Sequence, residues 1–483
     1  MADLVIRKKN EVFLRVECDP HIKHELQDQF TFDVPGAKFM PQYRNKYWDG
    51  KIRLFNMDRG EIYCGLIDKL QVFCERYSYT FEFEENKHYG LPYEENDTFS
   101  EEGVRDYLTT ISKYKPRDYQ VEGVTDALRR NRRLLISPTA SGKSLMIYSI
   151  CRYHVENNRK VLLIVPTTSL VEQMYKDFED YGWDAEKHCY KIYGGAPRTT
   201  EQSVIISTWQ SIYKLDRKWF ANFEVVIGDE AHQFKSKSLV NIMTKMADTK
   251  YRYGFTGTLD GTQTHKWVLE GLFGPSYKII STKKLQDAGY LAKLNIKVLL
   301  MKHEPQKFDT YEEEVQYIIN NEKRNKFIKN LAHDLKGNTL ILYSRVATHG
   351  QVLFDLINID NRKVFFVHGG VDAQEREEVR RITETEKDAI IVASFGTFST
   401  GINIKNLHNI IFASPSKSRI RTLQSIGRVL RKGNNKISAT LFDIADDTKK
   451  GSRNNYTLNH LIERIKYYNE EKFNYEILQI KIG

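Results

Sequence analysis

The chain has 483 residues, 41% of them hydrophobic, with a formal net charge of +10 and five cysteines. At roughly 150 residues per domain, the length predicts about three domains. The positive charge favours a polyanionic partner, in the first place nucleic acid, and the alternative is a basic surface that binds no specific partner. Five cysteines are too sparse for a disulfide framework, and they include no CxxC pair, which argues against a zinc site. No run of about 18 apolar residues exists, which argues against a membrane-spanning helix.

Residues 1–86 are predicted to form a small α/β domain. The first ten residues lack the apolar stretch of a signal peptide, so we expect a cytoplasmic protein, in the bacterial host if the chain is viral. Alternation over Val12–Val16 predicts a strand, and Asp19-Pro20 is typical of a helix start. A helix is predicted over Gly65–Tyr77 and a strand over Tyr79–Phe83.

The stretch Lys38–Leu54 interleaves basic and aromatic side chains around Asp49-Gly50, which indicates a hairpin. Basic groups contact phosphates, and aromatic rings stack on bases or wedge between them. We therefore expect Lys46, Trp48 and Lys51 to contact nucleic acid. The alternative is a β-rich core with buried aromatic rings and solvated lysines.

Beyond this domain, the sequence predicts two α/β lobes. Residues 87–112 are acidic and polar and are expected to form a linker, and residues 281–322 a partly helical connector. In residues 113–280 and 323–448, apolar strand-like runs alternate with helical stretches, which predicts parallel sheets with ligands at the carboxyl ends of the strands. We expect residues 449–483 to form a short, mainly helical extension packed on the second lobe. The predicted strands are Arg132–Ile136, Val161–Val165, Val204–Ser207, Val225–Ile227, Tyr253–Phe255, Thr339–Tyr343, Lys363–Val367, Ala389–Ala393, Asn409–Phe412 and Thr440–Ile444.

The stretch Leu134–Leu145 reads as a strand, a loop of small residues and a helix that opens with Gly142-Lys143-Ser144. Loop N–H groups and a helix N-terminus bind anionic oxygens, Lys143 can reach β- and γ-phosphates, and Ser144 can bind Mg²⁺. Ser137 stands where the full phosphate-loop pattern has glycine. The alternative is a helix N-terminus with a chance Gly-Lys-Ser.

A second apolar run, Phe223–Ile227, ends in the adjacent carboxylates Asp229 and Glu230. Two carboxylates at a buried strand end are costly unless a cation or hydrogen bonds satisfy them. We expect Asp229 to hold the Mg²⁺ that Ser144 also contacts, and Glu230 to polarise the water that attacks the γ-phosphate. An ordinary exit from strand to loop is the alternative.

Asp229-Glu230-Ala231-His232 resembles the DEAH box of superfamily 2 helicases. Other stretches resemble the remaining motifs of that family, in the family's order. They are Arg117–Gln120 (Q-motif), Val165–Leu170 with Gln173 (Ia), Ser207–Ser211 (Ic), Thr256–Thr258 (III), Tyr343–Arg345 (IV), Ala393–Asn403 (V) and Gln424–Arg431 (VI). This resemblance implies two RecA-like lobes that use ATP and Mg²⁺.

The resemblance also implies roles for individual residues. ATP contacts are expected from Gln120, Thr139, Ala140, Ser141, Gly142, Lys143, Ser144, His232 and Gly401, and catalytic roles from Lys143, Asp229, Glu230, Gln424, Arg428 and Arg431. Because Arg428 and Arg431 are three residues apart on a predicted helix, they should share a face and stabilise charge on the γ-phosphate, with a solvated basic helix face as the alternative. Phosphate contacts with DNA are expected from Pro166, Thr167, Thr208, Ser344, Arg345 and Thr400, each of which has the alternative of an N-cap or turn residue.

Tyr47–Leu54, Phe398–Ile402 and Gln424–Lys432 are similar to stretches of the recombination helicases of T-even-like bacteriophages. That resemblance implies an ATP-driven motor acting on branched DNA: Holliday junctions, stalled forks and R-loops, the last of which contain RNA–DNA hybrids. Separately, we expect a monomer. Single-stranded-DNA-binding or recombination proteins would be its partners. Two alternatives stay open, a duplex-DNA translocase that separates no strands and an ATP-gated junction-binding or annealing factor.

Overall fold

A computed structural model of the protein describes residues 2–85, 87–90, 99–359, 362–401, 404–431 and 436–482, with the backbone alone for residues 373 and 399–401. Two compact units are present, residues 1–137 with 142–279, and residues 280–483 with 138–141. Among the described residues, no helix combines the length and the apolar character that crossing a membrane requires.

The N-terminal part of the first unit contains a mixed sheet of order β5-β6-β2-β1-β7 and a separate pair β3-β4. Leu4, Leu14 and Ile62 of the sheet are fully buried, as alternation along the strands predicts. Its elements are β1 (Leu4–Lys8), β2 (Phe13–Cys18), α1 (Pro20–Gln29), β3 (Thr31–Asp33), α2 (Pro41–Arg44), β4 (Lys51–Arg53), β5 (Phe55–Asn56), β6 (Glu61–Tyr63), α3 (Ile67–Tyr77) and β7 (Phe81–Phe83).

The hairpin predicted at Asp49-Gly50 is wrong. Strand β4 pairs antiparallel with β3, with Phe32 opposite Ile52, so a long loop over residues 34–50 joins the two strands. Pro41 supplies the first turn of α2 within that loop, a position where its missing N–H costs nothing. Gly50 has φ of 79° and lies under the Tyr43 ring, which is 3.0 Å from where a Cβ would stand. Asp49-Gly50 therefore closes the long loop.

The N-terminal domain and the first lobe share one hydrophobic core. Phe30 and Phe32 both pack on Trp267, with ring centroids 5.4 and 5.0 Å away. At the edge of this core, buried Arg132 reaches Glu11 of the N-terminal domain, with Nη2 and Oε2 2.7 Å apart. The attraction within a buried ion pair is largely offset by the cost of desolvating both charges, whereas burial of aromatic rings is a net gain, so the two parts are joined chiefly by apolar packing.

The first lobe contains a parallel sheet of order β10-β11-β9-β12-β13-β8-β14 with helices on its faces. The predicted strands are present, with β11, β12 and β13 one or more residues longer than expected. The expected linker 87–112 contains a helix, α4 (Glu101–Ile111), which buries Val104, Leu108 and Ile111. The remaining elements are α5 (Asp118–Arg130), β8 (Arg132–Ile136), α6 (Lys143–Glu156), β9 (Val161–Val165), α7 (Thr168–Tyr181), α8 (Ala185–His188), β10 (Cys189–Ile192), β11 (Val204–Thr208), α9 (Trp209–Ile212), α10 (Arg217–Phe220), β12 (Val225–Asp229), α11 (Lys237–Lys245), β13 (Tyr251–Thr256), α12 (Gln263–Phe273) and β14 (Ser276–Lys278).

The second unit is built on a parallel sheet of order β17-β18-β16-β19-β20-β15-β21. Residues 281–322, expected to be a connector, include β15, which pairs with β20 and with β21 of the C-terminal extension. The extension is therefore part of the sheet as well as helical. The elements are α13 (Thr282–Asp287), β15 (Lys293–Lys302), α14 (Tyr311–Ile319), α15 (Glu322–Asp334), β16 (Thr339–Tyr343), α16 (Gln351–Ile357), β17 (Val364–Val367), α17 (Ala373–Thr385), β18 (Ile390–Ser394), α18 (Phe395–Gly401), β19 (Asn409–Phe412), α19 (Arg419–Val429), β20 (Ser438–Asp447), α20 (Tyr456–Glu470) and β21 (Tyr475–Lys481).

Gly65→Ala should weaken the junction between the N-terminal domain and the first lobe. A Cβ at Gly65 would overlap the Glu270 carbonyl and stand 2.8 Å from the Gly271 carbonyl, and neither backbone group can rotate away. We expect the free energy of unfolding in urea to fall by about 3 kcal/mol, at the upper end of overpacking effects. Gly369→Ala is the control, because among the described residues no atom beyond its own chain neighbours lies within 4 Å of the added carbon. Equal stability of the two variants would contradict the close packing at Gly65.

Candidate functional site

The phosphate loop has the predicted order of strand, turn and helix. Strand β8 ends at Ile136, residues 139–140 form a turn, and α6 begins at Lys143. Ala140 and Gly142 have φ of 67° and 82°. A positive φ is strained for alanine, and such conformations let a loop wrap its N–H groups around an anion. A hydrogen bond within the loop stabilises it, because Ser141 Oγ donates to the Pro138 carbonyl at 2.6 Å.

The two side chains expected to contact phosphate and metal already have protein partners. Lys143 Nζ donates to the Ser137 carbonyl at 3.4 Å, a long hydrogen bond that a phosphate oxygen would readily replace. Ser144 Oγ lies 2.7 Å from Tyr181 Oη, at the end of α7. Sequence reasoning missed Tyr181, because nothing in the spacing of the motifs marks a tyrosine at the end of a neighbouring helix.

Gln120 lies beside the phosphate loop. Its Oε1 accepts from Arg117 N at 2.9 Å at the start of α5, and its side chain is 4% exposed. Its amide nitrogen stands so close to Gly142 that a Cβ there would overlap it. The structure thus brings the glutamine of the predicted Q-motif next to the predicted phosphate loop, and glycine at 142 allows this approach.

The paired carboxylates lie at the carboxyl end of β12, on the sheet edge that also carries the phosphate loop. Asp229 Oδ1 accepts from Glu230 N at 2.8 Å, and Glu230 has φ of 49°. Burial and the Glu230 carboxylate raise the pKa of Asp229, whereas the nearby Lys143 ammonium lowers it. This balance favours a site that binds a cation, since a positive charge would relieve both the burial and the repulsion.

His232 connects the carboxylates to the end of the next strand. Its Nδ1 lies 3.1 Å from Thr256 Oγ1 and 3.3 Å from Glu230 Oε2. Thr256 ends β13, and its carbonyl accepts from Ser137 N at 2.9 Å. The predicted motifs I, II and III therefore meet at one edge of the sheet.

A second polar cluster follows, which the sequence reasoning missed. Asp260, just after β13, accepts from Lys235 and lies 2.5 Å from His265 Nδ1 at the start of α12. Burial raises the pKa of Asp260, but hydrogen bonds from His265 and Lys235 outweigh it and hold that pKa far below its usual range. The only signal in the sequence was a carboxylate shortly after a strand end. The cluster ties the turn after Glu230 to helix α12.

The donor set suits Mg²⁺ bound together with a nucleotide. In the part of the chain that the structure describes, no group of three His, Cys, Asp or Glu side chains could hold a metal by itself. Mg²⁺ keeps several waters and is usually bound through one or two carboxylates and substrate phosphates. Asp229 and the Ser144 hydroxyl would be such ligands, because the Ser144 oxygen keeps a lone pair for a metal beside its hydrogen bond to Tyr181.

In the second unit, only part of the predicted helical face exists. Gln424 and Arg428 lie on α19, but this helix ends at Val429, and Arg431 lies beyond it in a bridge with Leu291. The expectation that Arg428 and Arg431 share one helical face is therefore wrong. The Arg428 guanidinium lies over the Phe398 ring, 5.8 Å from its centroid.

The C-terminal helix α20 is hydrogen-bonded to Ser416, which lies just before the start of α19. Arg464 is 1% exposed, donates to Ser416 O at 2.6 Å and lies 2.8 Å from Asp443 Oδ1. Tyr468 donates to the same carboxylate, at 2.8 Å. A buried charge pair of this kind is strongly position-specific, because removal of either partner leaves the other uncompensated. The C-terminal extension thus stabilises the chain segment that precedes α19, the helix that carries Gln424 and Arg428.

The expected DNA contacts of the first lobe lie at strand ends. Thr167 is the N-cap of α7, and its Oγ1 accepts from Leu170 N at 3.4 Å. Pro166 precedes it, and its carbonyl accepts from Gln210 at 3.5 Å. Thr208 is the N-cap of α9 and is 4% exposed, with Oγ1 2.9 Å from Ser211 Oγ.

The expected contacts of the second lobe are placed in part. Ser344 N donates to Ser414 Oγ at 3.1 Å, and Arg345 pairs with Glu312 at 2.5 Å. Thr400 and Gly401 end α18, but their side-chain positions, and residues 402–403 of the predicted motif V, lie outside the described part of the chain. In the N-terminal domain, exposed Lys46 and Lys51 flank Trp48, which is half-buried and donates to the Lys51 carbonyl at 2.8 Å.

Three family descriptions match the chain: "Type III restriction enzyme, res subunit" over residues 113–261, "DNA helicase UvsW, N-terminal" over residues 3–84, and "Helicase conserved C-terminal domain" over residues 322–433. The ATP-dependent DNA helicase uvsW of Enterobacteria phage T4 is 34% identical across 97% of this chain and 98% of its own. The chain belongs to the UvsW family of superfamily 2 helicases.

Solved structures agree with that family. The crystal structure of T4 UvsW aligns over 100% of both chains with a TM-score of 0.53 and 32% identity. A fragment of a putative HsdR subunit of a type I restriction enzyme from Vibrio vulnificus has a TM-score of 0.58 over 78% of this chain and 71% of its own, and at 16% identity it supports the fold alone. The predicted family, fold class and enzyme class are confirmed.

Arg464→Met should destabilise the second unit, because it leaves the fully buried Asp443 carboxylate without its cation. Breaking a buried ion pair costs about 3–5 kcal/mol, and we expect a loss of that size in the free energy of unfolding measured with urea. Lys466→Met on the same helix is the control, since Lys466 is exposed and pairs only at the surface with Glu463. Similar stability of the two variants would show that the buried Arg464–Asp443 ion pair does not stabilise the second unit.

Proposed function

We propose that the protein is an ATP-dependent DNA helicase or translocase that remodels branched DNA in recombination, replication and repair. The observation that carries this proposal is the arrangement of Lys143, Asp229 and Glu230 at one edge of a parallel sheet. Family membership supports nucleotide use and helicase chemistry. The branched substrate rests on the resemblance to phage recombination helicases, with Holliday junctions, stalled forks and RNA–DNA hybrids as its forms.

In the proposed ATP site, residues of the first lobe bind and orient the triphosphate. The backbone of Thr139–Gly142 and the Lys143 ammonium would hold the phosphates, and Gln120 would contact the adenine. Bound Mg²⁺, held by Asp229 and Ser144, would neutralise charge on the β- and γ-phosphates. Glu230 would then accept a proton from the attacking water, a role suited to a carboxylate near a strand end that faces solvent in part.

Motif residues outside this set are proposed to link the nucleotide to the rest of the protein. His232 contacts both Glu230 and Thr256, so a movement of Glu230 at the γ-phosphate would be transmitted to the end of β13. We propose that Arg428 stabilises charge developing on the γ-phosphate, with Gln424, Arg431 and Gly401 as further contacts of the nucleotide. Arginines in this role raise turnover by about 10³–10⁵.

The proposed DNA contacts suit sequence-independent movement. Hydroxyl groups and backbone N–H groups near Pro166, Thr167, Thr208, Ser344 and Thr400 would bind phosphates, which carry no base code. Arg345 would exchange its partner Glu312 for a phosphate. Lys46, Trp48 and Lys51 would contact DNA from the N-terminal domain. We further propose action as a monomer in the bacterial host cytoplasm, with single-stranded-DNA-binding or recombination proteins as partners.

Lys143→Ala should abolish DNA-stimulated ATP hydrolysis. The lysine supplies the only ammonium that the sequence motif directs at the phosphates, and loss of one such charge lowers kcat by at least about a hundredfold. ATP turnover would be measured with and without forked DNA, and exposed Lys160→Ala is the control. If wild-type turnover does not respond to DNA, or if Lys143→Ala retains it, the proposed function fails.

Lys46→Ala and Lys51→Ala should each weaken fork binding through a lost phosphate contact. For each lysine we expect the slope of log affinity against log salt concentration to become shallower by about one, with little dependence on sequence. Binding would be followed by fluorescence anisotropy across a salt series. Arg76→Ala on α3 is the matched control, an exposed cation elsewhere in the same domain. An unchanged slope for both variants would show that neither lysine contacts a DNA phosphate.

A further inference from the structure

The loop over residues 34–50, which we call the aromatic loop, exposes an unusual number of large apolar side chains. Tyr47 is 85% exposed and Phe39 66%, and Met40 and Tyr43 are each 41% exposed. Single exposed apolar residues are ordinary, but a group within nine successive residues marks an interaction surface. The loop therefore presents rings to a ligand outside the chain.

The charge of the same loop indicates the ligand. Lys38, Arg44 and Lys46 are exposed on it, and among the described residues none of the three forms an ion pair with a carboxylate. Lys38 Nζ lies 5.4 Å from the centroid of the Phe39 ring. Rings interleaved with cations match a nucleic acid whose bases are unpaired, because bases stack on the rings while phosphates bind the cations. An apolar protein partner would gain nothing from these cations.

The aromatic loop is held in shape. Val34 N donates to Gly50 O at 2.8 Å across its base, where β3 and β4 also pair. Arg53 pairs with Asp49 at 2.6 Å, and the Tyr43 ring covers Gly50. A surface fixed before binding loses little conformational entropy when it meets its ligand.

The loop is also anchored to the lobe that carries the ATP site. Its base strand β3 includes Phe32, which packs on Trp267 of α12. The start of α12 is tied through His265 to Asp260, and Asp260 to Lys235 in the turn after Glu230. Each contact lies within one compact unit, so a displacement of that lobe along DNA would carry the loop with it.

We propose that the aromatic loop is a strand-separating wedge, in which Phe39 and Tyr47 stack on the unpaired bases at a DNA branch point. The inference deepens the proposed function and rests on it. Aromatic and other apolar side chains inserted between base steps unstack them, and bases at a branch are already poorly stacked. Movement of the first lobe would then press the loop into the branch and divide the strands. This assigns strand separation to a part of the chain that hydrolyses no ATP.

The test is the double variant Phe39→Ala/Tyr47→Ala. We expect its rate of strand separation on a forked DNA to fall at least about tenfold, equivalent to about 1.4 kcal/mol. ATP turnover at a saturating concentration of forked DNA should stay within about twofold of wild type, because both rings lie outside the ATP site. The conservative double variant Phe39→Tyr/Tyr47→Phe should retain separation. Val72→Ala, which shortens an exposed apolar side chain on α3 of the same domain, is the control.

A second measurement detects stacking directly. A fork with 2-aminopurine at the branch point reports stacking on an aromatic ring as fluorescence quenching without any ATP hydrolysis. We expect quenching by wild type and by the conservative variant, and none by the double alanine variant. Thermal unfolding of each variant would show that the fold is retained, as expected for exposed side chains.

Three results would overturn the wedge. Unchanged strand separation by the double alanine variant would mean that the rings serve another ligand, such as a protein. Loss of fork binding and of ATP stimulation together with separation would make the loop a general grip on DNA. Equal quenching by wild type and the double alanine variant would exclude stacking. A wild-type protein whose ATP turnover ignores DNA would instead show failure of the proposed function itself.

Discussion

The continuous apolar core that joins the N-terminal domain to the first lobe is the constraint on which the remaining features depend. Phe30 and Phe32 meet Trp267 in this core, and Gly65 fits against the backbone of the same helix with no room for a side chain. Aromatic burial of this kind is a large stabilising contribution that does not depend on salt. A domain attached by a flexible linker could only tether DNA, whereas a domain sharing the core of the ATP-binding lobe can transmit its movement. The close packing also means that removing residues 1–86 would expose the core, so surface substitutions are the cleaner way to assign DNA contacts.

Buried carboxylates near the two sheets differ in whether a cation of the chain itself compensates them. In the first lobe, Asp229 is buried next to Glu230, which raises its pKa and prepares the pair for a cation. In the second unit, buried carboxylates are already neutralised. Arg324 and His303 oppose the effect of burial and lower the pKa of Asp446 to about 2. The first arrangement is suited to binding a ligand and the second to holding the protein together, a difference that burial alone does not reveal.

Local sequence patterns predicted the parallel strands well, because a strand buried on both faces reads as a short apolar run, as Val161–Val165 does. The same patterns placed Lys143 and Asp229 at one sheet edge, since motif residues at strand ends converge in this fold. These patterns failed where the structure depends on pairing between strands that are far apart in the chain. Asp49-Gly50 has the composition of a hairpin turn but closes a loop whose partner strand lies well before it. Likewise, Arg431 falls past the end of α19, because helix ends depend on local hydrogen bonds that spacing does not reveal. The partner of Ser144, Tyr181, comes from a helix that carries no motif of its own at that point.

The central claim is that the N-terminal domain and the ATP-binding lobe move as one body. The most direct measurement is the distance between spin labels at Val72→Cys on α3 and Lys218→Cys on α10, both exposed, by double electron–electron resonance. Four of the five native cysteines are buried, and Cys18 would be replaced by serine. We predict the same distance distribution for the free protein, with a non-hydrolysable ATP analogue, and with the analogue and forked DNA together. A shift of several ångströms between these states would contradict the account, because the aromatic loop would then move independently of the lobe.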